Sequence, residues 1–194
     1  MSPAQIKQTT MQAHKQTGAS LIEVLVAILV VALGILSMAI MQTKVTRLSK
    51  VSEARTMGNM LAADLADRMR ANPGGVALGA YAFSAAMPTG ATPPSFSVTT
   101  QCNDALSNCN ASQLAQFDLS DWRELVYRSL PNGWTRISAY DGINHAHDLW
   151  LIWQEPDERT PKLPVLDPCP DGIAPSTSNG VTKAIRCMYF RINL

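Results

Sequence analysis

The sequence predicts an α+β protein: a long N-terminal helix whose first half is apolar enough to span a membrane, packed against a small antiparallel β-sheet head. Three observations carry this. Val24 to Met41 holds sixteen aliphatic, Ala or Met residues, broken only by Gly34 and Ser37. Beyond it, apolar residues keep helical spacing as far as Pro73. The last third of the chain alternates in strand-like runs separated by Pro, Gly, Asn and Asp turns.

The 194 residues carry 16 Lys and Arg against 15 Asp and Glu, so no strong field points to nucleic acid or to an acidic substrate. No charge falls between Val24 and Thr43. As a helix, such a stretch is about 30 Å long, the thickness of a bilayer's hydrocarbon core. A short basic leader with Lys7, His14 and Lys15 precedes it. A secretory signal peptide is one reading, with Ser37-Met38-Ala39 as its cleavage site, but its apolar run is normally only about 7–15 residues. A plain single-pass anchor fits the length but gives no reason for Glu23 at the edge of the span, where a carboxylate is costly.

Val45, Leu48, Val51, Ala54, Gly58, Leu61, Leu65 and Met69 recur at spacings of three and four. Ala19 to Ala71 is therefore expected as one helix, about 80 Å long, apolar all round and then amphipathic. Two helices hinged near Gly34 or Gly58 are the alternative. Pro73-Gly74-Gly75 stops the helix, and Val76 to Pro94 reads as a surface loop. Phe96 to Gln101 is expected as a strand. A short amphipathic helix lies between Ser112 and Leu130, with Asp118 or Ser120 as its cap. Trp134 to Tyr140, Asp148 to Gln154 and Lys183 to Ile192 complete the strands, the first two joined through an Asp141-Gly142 turn. The expected organisation is a leader over 1–18, a spanning half-helix over 19–43, an amphipathic half over 44–72 and a head over 73–194.

The residues Gly18-Ala19-Ser20-Leu21-Ile22-Glu23-Val24-Leu25-Val26-Ala27 resemble the signal of type IV prepilins. The resemblance implies that a prepilin peptidase cuts after Gly18, that Ala19 becomes the methylated mature N-terminus, and that Glu23 is the fifth mature residue, poised to pair with a cationic N-terminus. Ala19 departs from the Phe or Met of most members. Further along, Asp67-Arg68-Met69-Arg70-Ala71-Asn72-Pro73 with Tyr81, then Asp118-Leu119 with Trp122, Leu130-Pro131-Asn132-Gly133, and Cys187 with Phe190-Arg191 are similar to the PilV-type minor pilins. That family implies a non-enzymatic subunit that primes or joins a type IV pilus near its tip. Its implied partners are other minor pilins, the major pilin and a large tip adhesin, serving adhesion and twitching motility. A minor pseudopilin of a type II secretion system is the rival. Lys44, Arg47, Lys50 and Arg55 follow the span, and a bare count of basic residues would put them in the cytoplasm. The cysteines and the leader's cleavage logic instead place the head in the periplasm, anchored in the inner membrane until assembly into the fimbrium.

Four cysteines in such a head suggest two disulfides, with three connectivities open. Cys102 and Cys109 are close enough to staple a small loop, and Cys169–Cys187 would tie the Pro-rich segment to the last strand. No C-x-x-C pair supports zinc. His145 and His147 form an H-x-H that would share one face of a strand, but a solvated turn is the plainer reading. Trp122, Trp134, Trp150 and Trp153 read as core. Neither a catalytic motif, nor a metal site, nor a cofactor site is expected.

Overall fold

The computed structural model describes residues 18, 20–88, 93–104, 106–155, 169–171, 173, 177–178, 181–182 and 184–194. Residues 1–17 of the leader, Ala19 and most of 156–183 lie outside the described residues. Two compact units divide the chain, Met1–Arg47 and Leu48–Leu194.

Helix α1 runs from Leu21 to Ala71 without a break at Gly34 or Gly58. It stops because Asn72 precedes a proline, which disfavours helical geometry, and Asn72 takes φ −128° and ψ 65°. The expected loop after it opens instead with a short helix, α2, Pro73–Ala77. Pro73 sits where a missing N–H costs nothing, and the Asn72 side chain caps the Gly75 N–H at 3.1 Å. Gly75 allows α2 to touch the next helix: a Cβ there would lie 2.9 Å from both the Ala111 carbonyl oxygen and the Ala115 Cβ.

Helix α3, Ala111–Ser129, begins two turns earlier than Asp118 or Ser120 as cap would place it. Its cap is Asn110, whose side chain accepts from the Gln113 N–H while the Gln113 side chain accepts from the Asn110 N–H, each at 2.9 Å. Phe96 to Gln101 is not a strand. The Phe96 carbonyl accepts the Ser120 hydroxyl, and its ring packs 5.7 Å from that of Tyr127, so this segment is held by α3 rather than by a ladder.

Strands β1 (Trp134–Ile137), β2 (Ala146–Glu155) and β5 (Ala184–Asn193) form an antiparallel sheet in the order β1-β2-β5. A two-residue hairpin, β3 (Thr177–Ser178) with β4 (Val181–Thr182), stands apart from it. The pleat sends Ile137, Leu149, Leu151, Trp153 and Ile192 into one core with Leu61, Leu65 and Met69 of α1 and Trp122 and Val126 of α3. The other face carries Trp134, Ile152 and Cys187 under Phe96, Cys169 and Ile173. The tryptophans at 122, 134 and 153 are buried, and the first two donate their ring N–H to the carbonyls of Leu61 and Ala85, at 2.9 and 3.0 Å. The fold is α+β: a long N-terminal helix, apolar in its first half, with a small three-stranded antiparallel sheet.

Candidate functional site

In the N-terminal unit, Gly18 is exposed and irregular, and the Ser20 carbonyl accepts the N–H of Glu23 at 2.9 Å and of Val24 at 3.2 Å. Glu23 thus lies in the first turn of α1, where the unpaired N–H groups and the helix dipole favour a negative charge. No described cation pairs with it. From Leu21 to Met41 every residue is exposed around the whole helix circumference. Its most apolar window has mean hydropathy 3.0 with none of it buried. In water that surface is unfavourable at about 25 cal/mol per Å2, and by length and composition the helix is able to cross a membrane. The polar groups within it do not oppose this. Ser37 and Thr43 bond back to the carbonyls of Leu33 and Ile40, at 2.9 and 2.7 Å.

In the second unit, residues distant in sequence meet at one polar clamp. The Arg68 guanidinium bonds Asp64 at 3.2 Å and Asp121 at 2.9 Å, and lies 4.0 Å from the Asp118 carboxylate. The Tyr81 hydroxyl donates to Asp118 at 2.9 Å and accepts from the Asn72 amide at 3.3 Å. Asn72 also donates to the Ala111 carbonyl at 2.8 Å. The end of α1, α2, the segment carrying Tyr81 and α3 are joined in this way. Burial pushes the Asp118 carboxyl up, against the Tyr81 bond and the Arg68 charge that favour its ionised form. Burial also raises the Tyr81 hydroxyl well above its ordinary range. For Arg68, burial works against the charge, but Asp121, Asp64 and Asp118 together outweigh it and hold its pKa above the ordinary value.

The cysteines form two bridges, Cys102–Cys109 and Cys169–Cys187. Among the described residues no three His, Cys, Asp or Glu side chains cluster as a metal site would require. The two histidines do not share a strand face. His145 stands in the turn with φ 49°, its ring 3.0 Å from the Tyr140 hydroxyl. His147 is on β2 and fully buried, not in a solvated turn. Its Nδ1–H donates to the Ser138 carbonyl at 2.9 Å, and among the described residues the buried Nε2 has no hydrogen-bond partner. Burial lowers its pKa, opposed by the Ser138 bond and the Asp148 charge.

Sequence reasoning missed Arg123. Its guanidinium lies 3.6 Å from the Phe83 ring centroid and 5.1 Å from that of Trp134, fastening α3 to the outer sheet face by cation–π contact. No sequence spacing signals it, because its aromatic partners come from a loop and a strand.

Residues 41–120 match the model of the Tt1218-like family, described as type IV pilin Tt1218. This stretch is type IV pilin-like. It takes in the second half of α1, α2, the Cys102–Cys109 loop and the start of α3, and with them Arg68, Asn72, Tyr81 and Asp118. Gly18, Glu23 and the sheet lie outside it. No curated protein and no solved structure matches the chain.

Proposed function

We propose that this chain is a minor pilin, a non-enzymatic subunit that primes or joins a type IV pilus near its tip. The supporting observation is the apolar first half of α1, exposed around its full circumference and continuous in one helix with the amphipathic half. Such a surface is at home in the inner membrane before assembly and among the packed helices of neighbouring subunits afterwards, where van der Waals packing replaces lipid. The match to type IV pilins over residues 41–120 supports the same reading. The two disulfides suit a periplasmic, then extracellular, head.

In this reading a prepilin peptidase cuts between Gly18 and Ala19, and Ala19 is methylated. Glu23 then pairs with the cationic N-terminus of its own or a neighbouring subunit. Its partners are the major pilin, other minor pilins and a tip adhesin.

N-terminal sequencing and mass spectrometry of the membrane-bound protein test the processing step. A start at Ala19 with a methylated amine is expected. A start at Ile40 would mark ordinary signal-peptidase cleavage and overturn the reading. A deletion strain separates a pilus role, seen as loss of surface pili, from a pseudopilin role, seen as loss of secreted enzymes.

A further inference from the structure

We propose that the segment Ser138–Asp141, which leads from β1 toward β2, is an acid-released strap over the buried ring of His147. This rests on the head alone and stands whether or not the pilin reading does. His147 is fully buried on β2. Two residues of the strap cover it. The Ser138 carbonyl oxygen lies 2.9 Å from Nδ1, and the Tyr140 ring centroid lies 5.4 Å from that of the imidazole. A carbonyl only accepts, so Nδ1 carries the proton of the neutral ring and Nε2 is the bare nitrogen. An incoming proton therefore adds to Nε2, which is buried and has no hydrogen-bond partner among the described residues. A charged ring in that position is costly, and gaining water removes the cost.

The strap is the lightly held part of these surroundings. Strand β1 ends at Ile137, paired with Leu149, so the strap lies beyond its last paired residue. The Ser138 N–H donates to the Asp148 carbonyl and the Ser138 Oγ accepts from the Asp148 N–H, each at 2.9 Å. Asp141 and Ala146 exchange two backbone bonds, at 2.9 and 3.2 Å. By contrast, Ala146 and His147 stay paired with Asn193 and Ile192 of β5, and the Leu194 N–H anchors the His145 carbonyl at 2.9 Å. Lifting the strap thus bares the imidazole and leaves the β2–β5 ladder whole. Of the charged groups around it, only Asp148 acts on the ring. Its side chain points to the opposite face of the sheet, where it accepts from the Tyr189 hydroxyl at 2.7 Å and lies 3.9 Å from Arg191. Arg70, at the end of α1, is exposed and paired with Asp67, and Leu194 contributes a main-chain carboxylate. On the strap, bonds from Asn144 and Ile143 hold the Asp141 carboxyl below its usual range, so Asp141 stays ionised at pH 5. His145, bonded to the Tyr140 hydroxyl at 3.0 Å, is exposed, so a charge there is solvated. Burial is what keeps the His147 ring neutral, and the strap supplies that burial.

The test is amide hydrogen exchange of the isotope-labelled full chain in detergent micelles at pH 7 and pH 5, corrected for the intrinsic effect of pH. The amides of Ser138, Asp141, Ala146 and Asp148 should open about tenfold more often at pH 5, because a solvated imidazole is mostly charged there. The amides of Phe83 and Gln154, bonded to Ile137 and Pro131 outside the strap, should not change. His147→Phe keeps an aromatic ring in place and takes up no proton, so it should abolish the response. His145→Gln removes the exposed imidazole and should leave the response intact. The ring-nitrogen shifts of His147 in the wild-type chain give a second reading that needs no variant: protonation of the ring and opening of the strap should share one midpoint. Four results overturn the proposal: no rise at the strap amides, an equal rise at Phe83 and Gln154, a response that survives His147→Phe or vanishes with His145→Gln, and a His147 ring that titrates while the strap stays closed.

Discussion

The Tyr81 hydroxyl donates a 2.9 Å hydrogen bond to the Asp118 carboxylate across 37 residues of sequence. Tyr81 is fully buried, and the Asp118 side chain keeps only 16% of its surface exposed. Tyr81→Phe keeps the ring and removes the donor, leaving a largely buried carboxylate short of one partner. The expected loss is about 1–2 kcal/mol, in the range for a buried polar group left unsatisfied. Thermal unfolding of the full chain in micelles measures it, and an unchanged midpoint would mean that the bond carries no net stability.

His147 makes stability depend on pH. Its folded pKa lies below the ordinary value of 6.5, so the folded state holds the ring neutral more strongly than the unfolded chain does. The associated stability is present above about pH 6.5 and lost as pH falls through the lower folded value. His147→Gln should reduce the fall in melting temperature between pH 7 and pH 5. Parallel pH profiles for variant and wild type would show that another group sets the slope.

The two disulfides should differ in their effect. Cys169 and Cys187 are 18 residues apart and Cys102 and Cys109 only 7. The loop-entropy relation gives about 3 kcal/mol for the first and about 2 kcal/mol for the second. Cys187 is also buried beside Trp134 and Ile152, which adds packing to the first bridge. Melts of the two paired Cys→Ala variants should therefore rank the 169–187 removal as the more damaging. The reverse order would contradict this.

Long-period features were the most legible in the sequence. The end of α1 was readable because apolar spacing persisted to Met69 and a proline followed directly. Helix α3 was found but its start misplaced. Asp118 and Ser120 look like caps, yet their side chains bond Tyr81 and the Phe96 carbonyl, and Asn110 with Gln113 forms the capping box. Phe96 to Gln101 has strand-like composition but packs on a helix, an instance of tertiary contacts overriding propensity. The solvated-turn reading of the H-x-H pattern holds for the exposed His145 and fails for His147, because the strand begins at Ala146 and carries His147 into the interior. Arg68, Asn72, Tyr81 and Asp118 stood out in the sequence only as separate patches, and their meeting in one clamp was not legible. Its members span residues 64 to 121 and meet only once the helices pack.

The proposed entry of this chain into pili through its N-terminal helix is tested most directly at Glu23. Glu23→Gln keeps the shape and removes the charge. The variant should still be cut after Gly18 and inserted in the membrane, since the scissile bond is untouched. Its amount in sheared pili, measured against wild type by quantitative immunoblotting, should fall at least tenfold, because a cationic N-terminus packed among apolar helices would lack its counter-charge. An unpaired buried charge costs about 3–5 kcal/mol. Wild-type levels of Glu23→Gln in sheared pili, with piliation intact, would contradict the account.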